Sequence, residues 1–84
     1  MRTGTIHFAR LDKSPRLQRI FVFLKRAGSR GATGIEIALE CDVLNPATYC
    51  SELRHNGIPI DCSYEGETVG GRKVYRYIMK GLNA

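Results

Sequence analysis

Cys41, Cys50 and Cys62, with His7 and His55, are the side chains whose types could bind a metal or attack an electrophile. Their spacing argues against both. Cys50 and His55 lie five apart, and no CxxC or HxxxH pair accompanies them, as the ligand patterns of structural zinc would require. An odd number of cysteines without a secretion signal does not make a disulfide framework. The thiols therefore read as small buried side chains. His55 reads as a solvent-facing residue at a helix end, and His7 is read the same way. No HExxH motif and no nucleophile–base pair is in view, and 84 residues are too few to enclose a dry active site. Gly70-Gly71 lacks the strand-to-helix setting of a phosphate loop and reads as a turn. The expectation is a protein that is not an enzyme, with no metal, no cofactor and no small-molecule substrate.

What remains is recognition by surface. Hydrophobic content of 43% and charged content of 25% describe one small globular domain. No apolar run approaches the roughly 18 residues of a membrane span. The N-terminal segment is polar and lacks a signal-peptide core, so a cytoplasmic location is expected. Net charge is +5 with a pI near 9.5, which favours an anionic partner. The charge is unevenly spread. Residues 1–30 carry eight Lys/Arg and one acid, residues 31–69 one Arg and seven acids, and residues 70–84 four Lys/Arg and no acid.

The elements that position these charges have local markers. Ser14-Pro15 fits a helix start, a cap followed by Pro at the first helical position. Leu17, Ile20, Phe21, Leu24 and Ala27 then share one face at i, i+3, i+4 spacing. Arg16, Arg19, Lys25 and Arg26 crowd other faces, either as a solvated surface or as one turned to phosphates. Thr33 and Glu36 fit a capping box that opens a second helix over 34–41. Its expected core face is Ile35, Ala38 and Leu39, with Ile37 partly covered and with Val43 and Leu44 anchoring the turn. Asn45-Pro46 repeats the cap-then-Pro signal for a third helix. There Pro46, Cys50 and Leu53 form the buried stripe. Ala47, Thr48, Ser51 and Glu52 point away, and Tyr49, Arg54 and His55 flank them. Gly57 fits the left-handed residue that closes the helix, with Ile58 as its apolar contact.

After Gly57 the period changes to two. Ile58, Ile60, Cys62 and Tyr64 form the expected inner side of a strand, and Pro59 suits its start. Residues 66–71 make the turn, and 72–79 return as the partner strand with Tyr75, Tyr77 and Met79 inward. Arg76 then faces out, towards Asp61 or Glu65. Residues 1–13 form a basic arm, in which 5–9 reads either as a short strand or as an extended tuck. Residues 14–80 form the domain and 81–84 a tail. The fold class expected is α+β: a three-helix core with a C-terminal β-hairpin. Two helices joined by a turn of about three residues make a helix-turn-helix, which can present its second helix to a DNA groove.

Three stretches carry a family resemblance: SPRLQRIFVFLKRAG, TGIEIALECDVLNPATYCSELRHNGIPID and GGRKVYRY. The chain resembles a winged helix-turn-helix domain, and more narrowly the small helix-turn-helix proteins of phages and prophages. The run from Ser51 to Ile60, SELRHNGIPI, is the most family-like part. The resemblance implies duplex-DNA binding by a transcriptional regulator or recombination accessory factor. The third helix would enter the major groove and the hairpin, as a wing, would touch adjacent backbone. By position, Ala47, Thr48 and Ser51 would read base edges, with Tyr49 and Glu52 beside them. Arg30, Arg54, Arg72 and Lys73 would hold phosphates, and the backbone N–H groups at Asn45 would add an anion site. Arg2 and Arg10 would follow a minor groove. A homodimer on paired half-sites is the expected assembly, joined through the arm or the first helix.

The first two turns of the third helix hold no Arg, Lys or Gln, and seven acids fall within 31–69. A second expectation follows from that. The fold would be kept while an acidic third-helix surface docks on a protein partner.

Overall fold

The helices begin where the sequence places a polar residue ahead of an apolar stripe. In a computed structural model that describes residues 10–81, α1 spans Pro15–Ala27, α2 Gly34–Cys41 and α3 Pro46–His55. Ser14 Oγ accepts from the Leu17 N–H at 3.2 Å, satisfying one orphan donor of α1. Leu17, Ile20 and Leu24 face inward with no exposed surface. Burying each such side chain stabilises the fold by about 1.5–3 kcal/mol.

The capping box closes the start of α2. Thr33 Oγ1 accepts from the Glu36 N–H at 3.1 Å, and Thr33 N–H donates to Glu36 Oε1 at 2.9 Å. The inner face of α2 differs from expectation. Ile37 and Cys41 are buried, whereas Ile35 and Leu39 are exposed. Asp42 adopts the left-handed region at φ 58 and ψ 54, which Asp tolerates. This turns the chain so that Val43 enters the core. Arg19 fixes that end, its Nε and Nη2 donating to the Cys41 carbonyl at 3.2 and 3.1 Å. Leu44, expected to anchor the turn beside Val43, projects fully into solvent.

Cys50 and Leu53 anchor α3 in the core, and Pro46 is half-buried at its start. The helix closes as the sequence predicts. Gly57, at φ 88, donates its N–H to Arg54 O at 2.9 Å, and Ile58 N–H donates to Leu53 O at 3.0 Å. This is the Schellman pair of bonds, and Ile58 packs against the core. Asn56 Oδ1 accepts from the Leu11 N–H at 2.9 Å, tying a 3-10 turn at Leu11–Lys13 to the end of α3.

Strands β1 (Ala32–Thr33), β2 (Ile60–Glu67) and β3 (Lys73–Met79) form an antiparallel sheet in the order β1-β3-β2. Tyr77 stands at its centre, opposite Ala32 on one side and Cys62 on the other. Gly31 permits the close approach. At φ 66, an added Cβ would lie 2.5 Å from the Tyr77 carbonyl oxygen. Ile60 and Tyr77 are buried under the helices. Beyond them the hairpin leaves the core, so Cys62, Tyr64 and Tyr75, expected inside, are exposed. Tyr64 and Tyr75 pair with each other instead, ring centroids 5.5 Å apart and tilted by 57°. Arg76 meets Glu65, Nε to Oε2 at 2.7 Å, while Asp61 pairs with Lys80 at 3.5 Å. β2 runs on to Glu67 through a bulge at Tyr64/Gly66, so the turn is narrower than expected. It is closed by the Thr68 N–H donating to Arg72 O at 2.9 Å.

The described residues form an α+β fold of three α-helices and one three-stranded antiparallel sheet. Among the described residues no helix is long and apolar enough to cross a membrane. The strand or arm expected over 5–9, Arg2, His7 and the last three residues lie outside the described residues.

Candidate nucleic-acid interface

α3 is held by its inner stripe, and this decides what it shows. With Cys50 and Leu53 buried, the residues across the helix axis are Thr48 and Ser51, both exposed, with exposed Ala47 beside them. All three are short, so the helix surface there is shallow, and exposed His55 continues the row at the end of the helix. Tyr49 is half-buried and packs against the core. Glu52 is also half-buried, and its Oε1 is covered without a hydrogen-bond partner among the described residues. It stands at the margin of the outward face rather than in its middle.

The start of α3 is more open than the sequence suggests. Asn45 occupies the cap position, but its side chain makes no bond to the first turn. Its backbone carbonyl accepts from the Thr48 and Tyr49 N–H groups at 3.1 and 3.4 Å. The partial positive charge of a helix start is therefore not offset by a side-chain oxygen.

The basic residues fall into two groups. Arg72 and Lys73 are exposed at the hairpin tip. They line one groove together with Asn45 and Ala47, so the structure brings the hairpin tip and the start of α3 to a common surface. Arg30 and Arg54 are outside that groove's lining. Arg54 is exposed yet tethered, its Nε donating to Ile60 O at 2.9 Å, which holds the start of β2 against α3. Arg30 is exposed in a 3-10 turn, and its carbonyl accepts from Arg76 Nη1 at 2.9 Å.

Acid placement modifies the charge pattern read from the sequence. Glu36 is held in the capping box, Glu65 by Arg76 and Asp61 by Lys80. The Glu65 hydrogen bond pushes the Arg76 guanidinium above its usual value. Glu40 borders a cleft on the α1 side of α2, with Arg19 and Arg26. Asp42 borders a second cleft with Lys13, Arg16 and Arg19. Glu52 is the one acid on α3 itself.

Cys41 and Cys50 serve packing, whereas Cys62, expected to be buried like them, is exposed. Burial pushes the Cys50 thiol up to about 12 and raises Cys41 against the pull of Arg19. Burial also pushes Tyr77 up to about 12, with neighbouring Cys62 and Cys50 adding to the rise. Such groups stay protonated and unreactive at neutral pH. Among the described residues no three His, Cys, Asp or Glu side chains converge as a metal site would need.

Sequence reasoning missed the apolar wall of the groove, built from Ile35, Leu39 and Leu44. Its signal was present: α2 carries more apolar positions than one face can bury. No family model, curated protein or solved structure matches this chain.

Proposed function

We propose that this chain is a winged helix-turn-helix protein that binds duplex DNA, with α3 turned to the major groove and the hairpin serving as the wing. It would act as a transcriptional regulator or recombination accessory factor rather than as an enzyme. The observation that carries the reading is the shared surface of Ala47, Arg72 and Lys73. In this arrangement the short polar face of α3 supplies base contacts from Thr48 and Ser51, while the hairpin tip supplies phosphate contacts that set its register. The uncapped start of α3 offers N–H groups to a further phosphate.

The rival proposal, an acidic α3 surface docking on protein, draws less support. Three of the seven acids in 31–69 are held by capping or ion pairs, and α3 carries one.

Fluorescence anisotropy of random-sequence duplex DNA across a salt series tests the reading. Each phosphate contact contributes about −0.9 to the slope of log K against log salt. Several contacts, and hence a steep slope, are expected. Arg72→Glu with Lys73→Glu should flatten the slope by about two contacts and weaken binding about tenfold or more at low salt. An absence of binding by the wild-type chain even at low salt would sink the proposal.

A further inference from the structure

The groove beside α3 has a composition that DNA does not explain. One wall is α2 and the turn after it, where Ile35, Leu39 and Leu44 are 40%, 77% and 102% exposed. The other wall is β3, with Val74 and Tyr75. The space between them is about 370 Å³, at the small end of the roughly 300–1,000 Å³ range of ligand pockets. Leucines left in water at this density cost the free chain solubility and favour an occupant that covers them.

The charged residues lining the groove are of one sign, and Glu67, opposite Lys73 in the β2–β3 ladder, is outside that lining. Arg72 and Lys73 are its charged lining residues, and no carboxylate lines it. The acids of α2 are outside the groove's lining. Glu36 is bonded to its own cap, and Glu40 borders the cleft on the α1 side. Asp42 sits beside Arg16 and Arg19. The complementary occupant brings apolar side chains for the walls and negative charge for the rim.

A second copy of this chain fits poorly. Groove-to-groove pairing about a two-fold axis would set Arg72 and Lys73 of both copies in one neighbourhood. Its own Leu39 and Leu44 have no acid on the same side to offer in return. A DNA phosphate would satisfy the two cations and leave the leucines in water.

We propose that this groove docks a segment of another protein, one that carries apolar side chains flanked by carboxylates. The leucines and Tyr75 grip the apolar side chains, and Arg72 and Lys73 take the carboxylates. The same two cations serve the DNA reading, so the segment and DNA compete for them. The docking itself does not depend on DNA binding.

The probe is a random-sequence peptide display library selected on the full chain. Enriched peptides should combine two or more aliphatic or aromatic residues with Asp or Glu. A synthesised representative should lose affinity about tenfold or more with Leu39→Ser/Leu44→Ser, and also with Lys73→Glu, a change of roughly 1.4 kcal/mol. The leucine variant alters exposed positions and should keep the wild-type melting curve and wild-type DNA affinity. Overturning outcomes are no enrichment, enrichment of basic peptides, or binding indifferent to the leucine variant. Light scattering that finds a concentration-dependent dimer lost in the leucine variant would give the groove to a second copy. DNA affinity that falls as far with the leucine variant as with Lys73→Glu would give it to DNA. Peptide binding by a chain that ignores DNA would sink the DNA reading and leave this one standing.

Discussion

Helices α2 and α3 bury equally narrow stripes and differ in everything they show to solvent. α2 commits Ile37 and Cys41 to the core, and α3 commits Cys50 and Leu53. Outside, α2 presents Ile35 and Leu39, while α3 presents Ala47, Thr48 and Ser51. Two anchoring side chains per helix suffice here because α1 supplies three fully buried residues and Tyr77 closes the sheet side. The outer faces are thus released from folding, and their chemistry is free to serve binding. On this comparison the polar face suits base edges and the apolar face suits a protein segment.

The comparison fails if the outer apolar residues of α2 hold the fold after all, and that is its strongest test. Ile37→Ala and Leu53→Ala should each destabilise by about 2–5 kcal/mol, through lost burial and the cavity left behind. Leu39→Ala and Ser51→Ala should stay within about 0.5 kcal/mol of wild type. Urea unfolding at constant m-value reads both. A Leu39→Ala cost as large as that of Ile37→Ala would place Leu39 in the core.

Alkaline unfolding sharpens the contrast between the two inner stripes. Burial pushes Cys50 up from 9.0 to about 12 against the pull of Arg54, and raises Cys41 against the pull of Arg19; Cys50 is the more strongly raised thiol. A raised pKa means that the unfolded chain releases its proton first as pH climbs. The stability from keeping these groups neutral is complete below pH 9.0 and is lost between there and about 12, with Tyr77 adding to the loss above 10.0. The urea midpoint should therefore fall across that window. Cys50→Ala should flatten the fall more than Cys41→Ala does. Equal flattening would mean that the two thiols sit in equivalent surroundings.

How much of this was legible in the sequence follows from where information is local. Thr33 with Glu36, Ser14 with Pro15, and Gly57 with Ile58 act within a few residues, and each makes the bonds its spacing announces. The Arg76–Glu65 pair was legible because strand alternation puts both on one side. The inner face of α2 was not. With apolar residues at 35, 37, 38, 39 and 41 the helix offers two possible faces, and the choice between them rests on tertiary packing that no local spacing encodes. Cys62 and Tyr64 misled for a related reason. Alternation shows which residues share a side, but not that the helices stop covering the sheet after Ile60. The candidate interface was legible as residue types on α3 and at the hairpin tip. Its meeting with an apolar wall of Ile35, Leu39 and Leu44 depends on tertiary packing that no spacing encodes.

The smallest expected effect separates the two helix starts. At Thr33 both bonds of the capping box are made. Thr33→Ala should therefore cost about 1 kcal/mol, within a usual range of roughly 0.5–2. At Asn45 the side chain makes no bond to the first turn, so Asn45→Ala should cost only a few tenths of a kcal/mol (about 0.3). The two measurements belong together, because cap position alone would give both residues the same value. If Asn45→Ala matches Thr33→Ala, its amide caps α3 in solution and the helix start is not open to an anion. If the asymmetry holds, Asn45→Ala should leave DNA affinity close to wild type, since the contact offered there is backbone and not side chain.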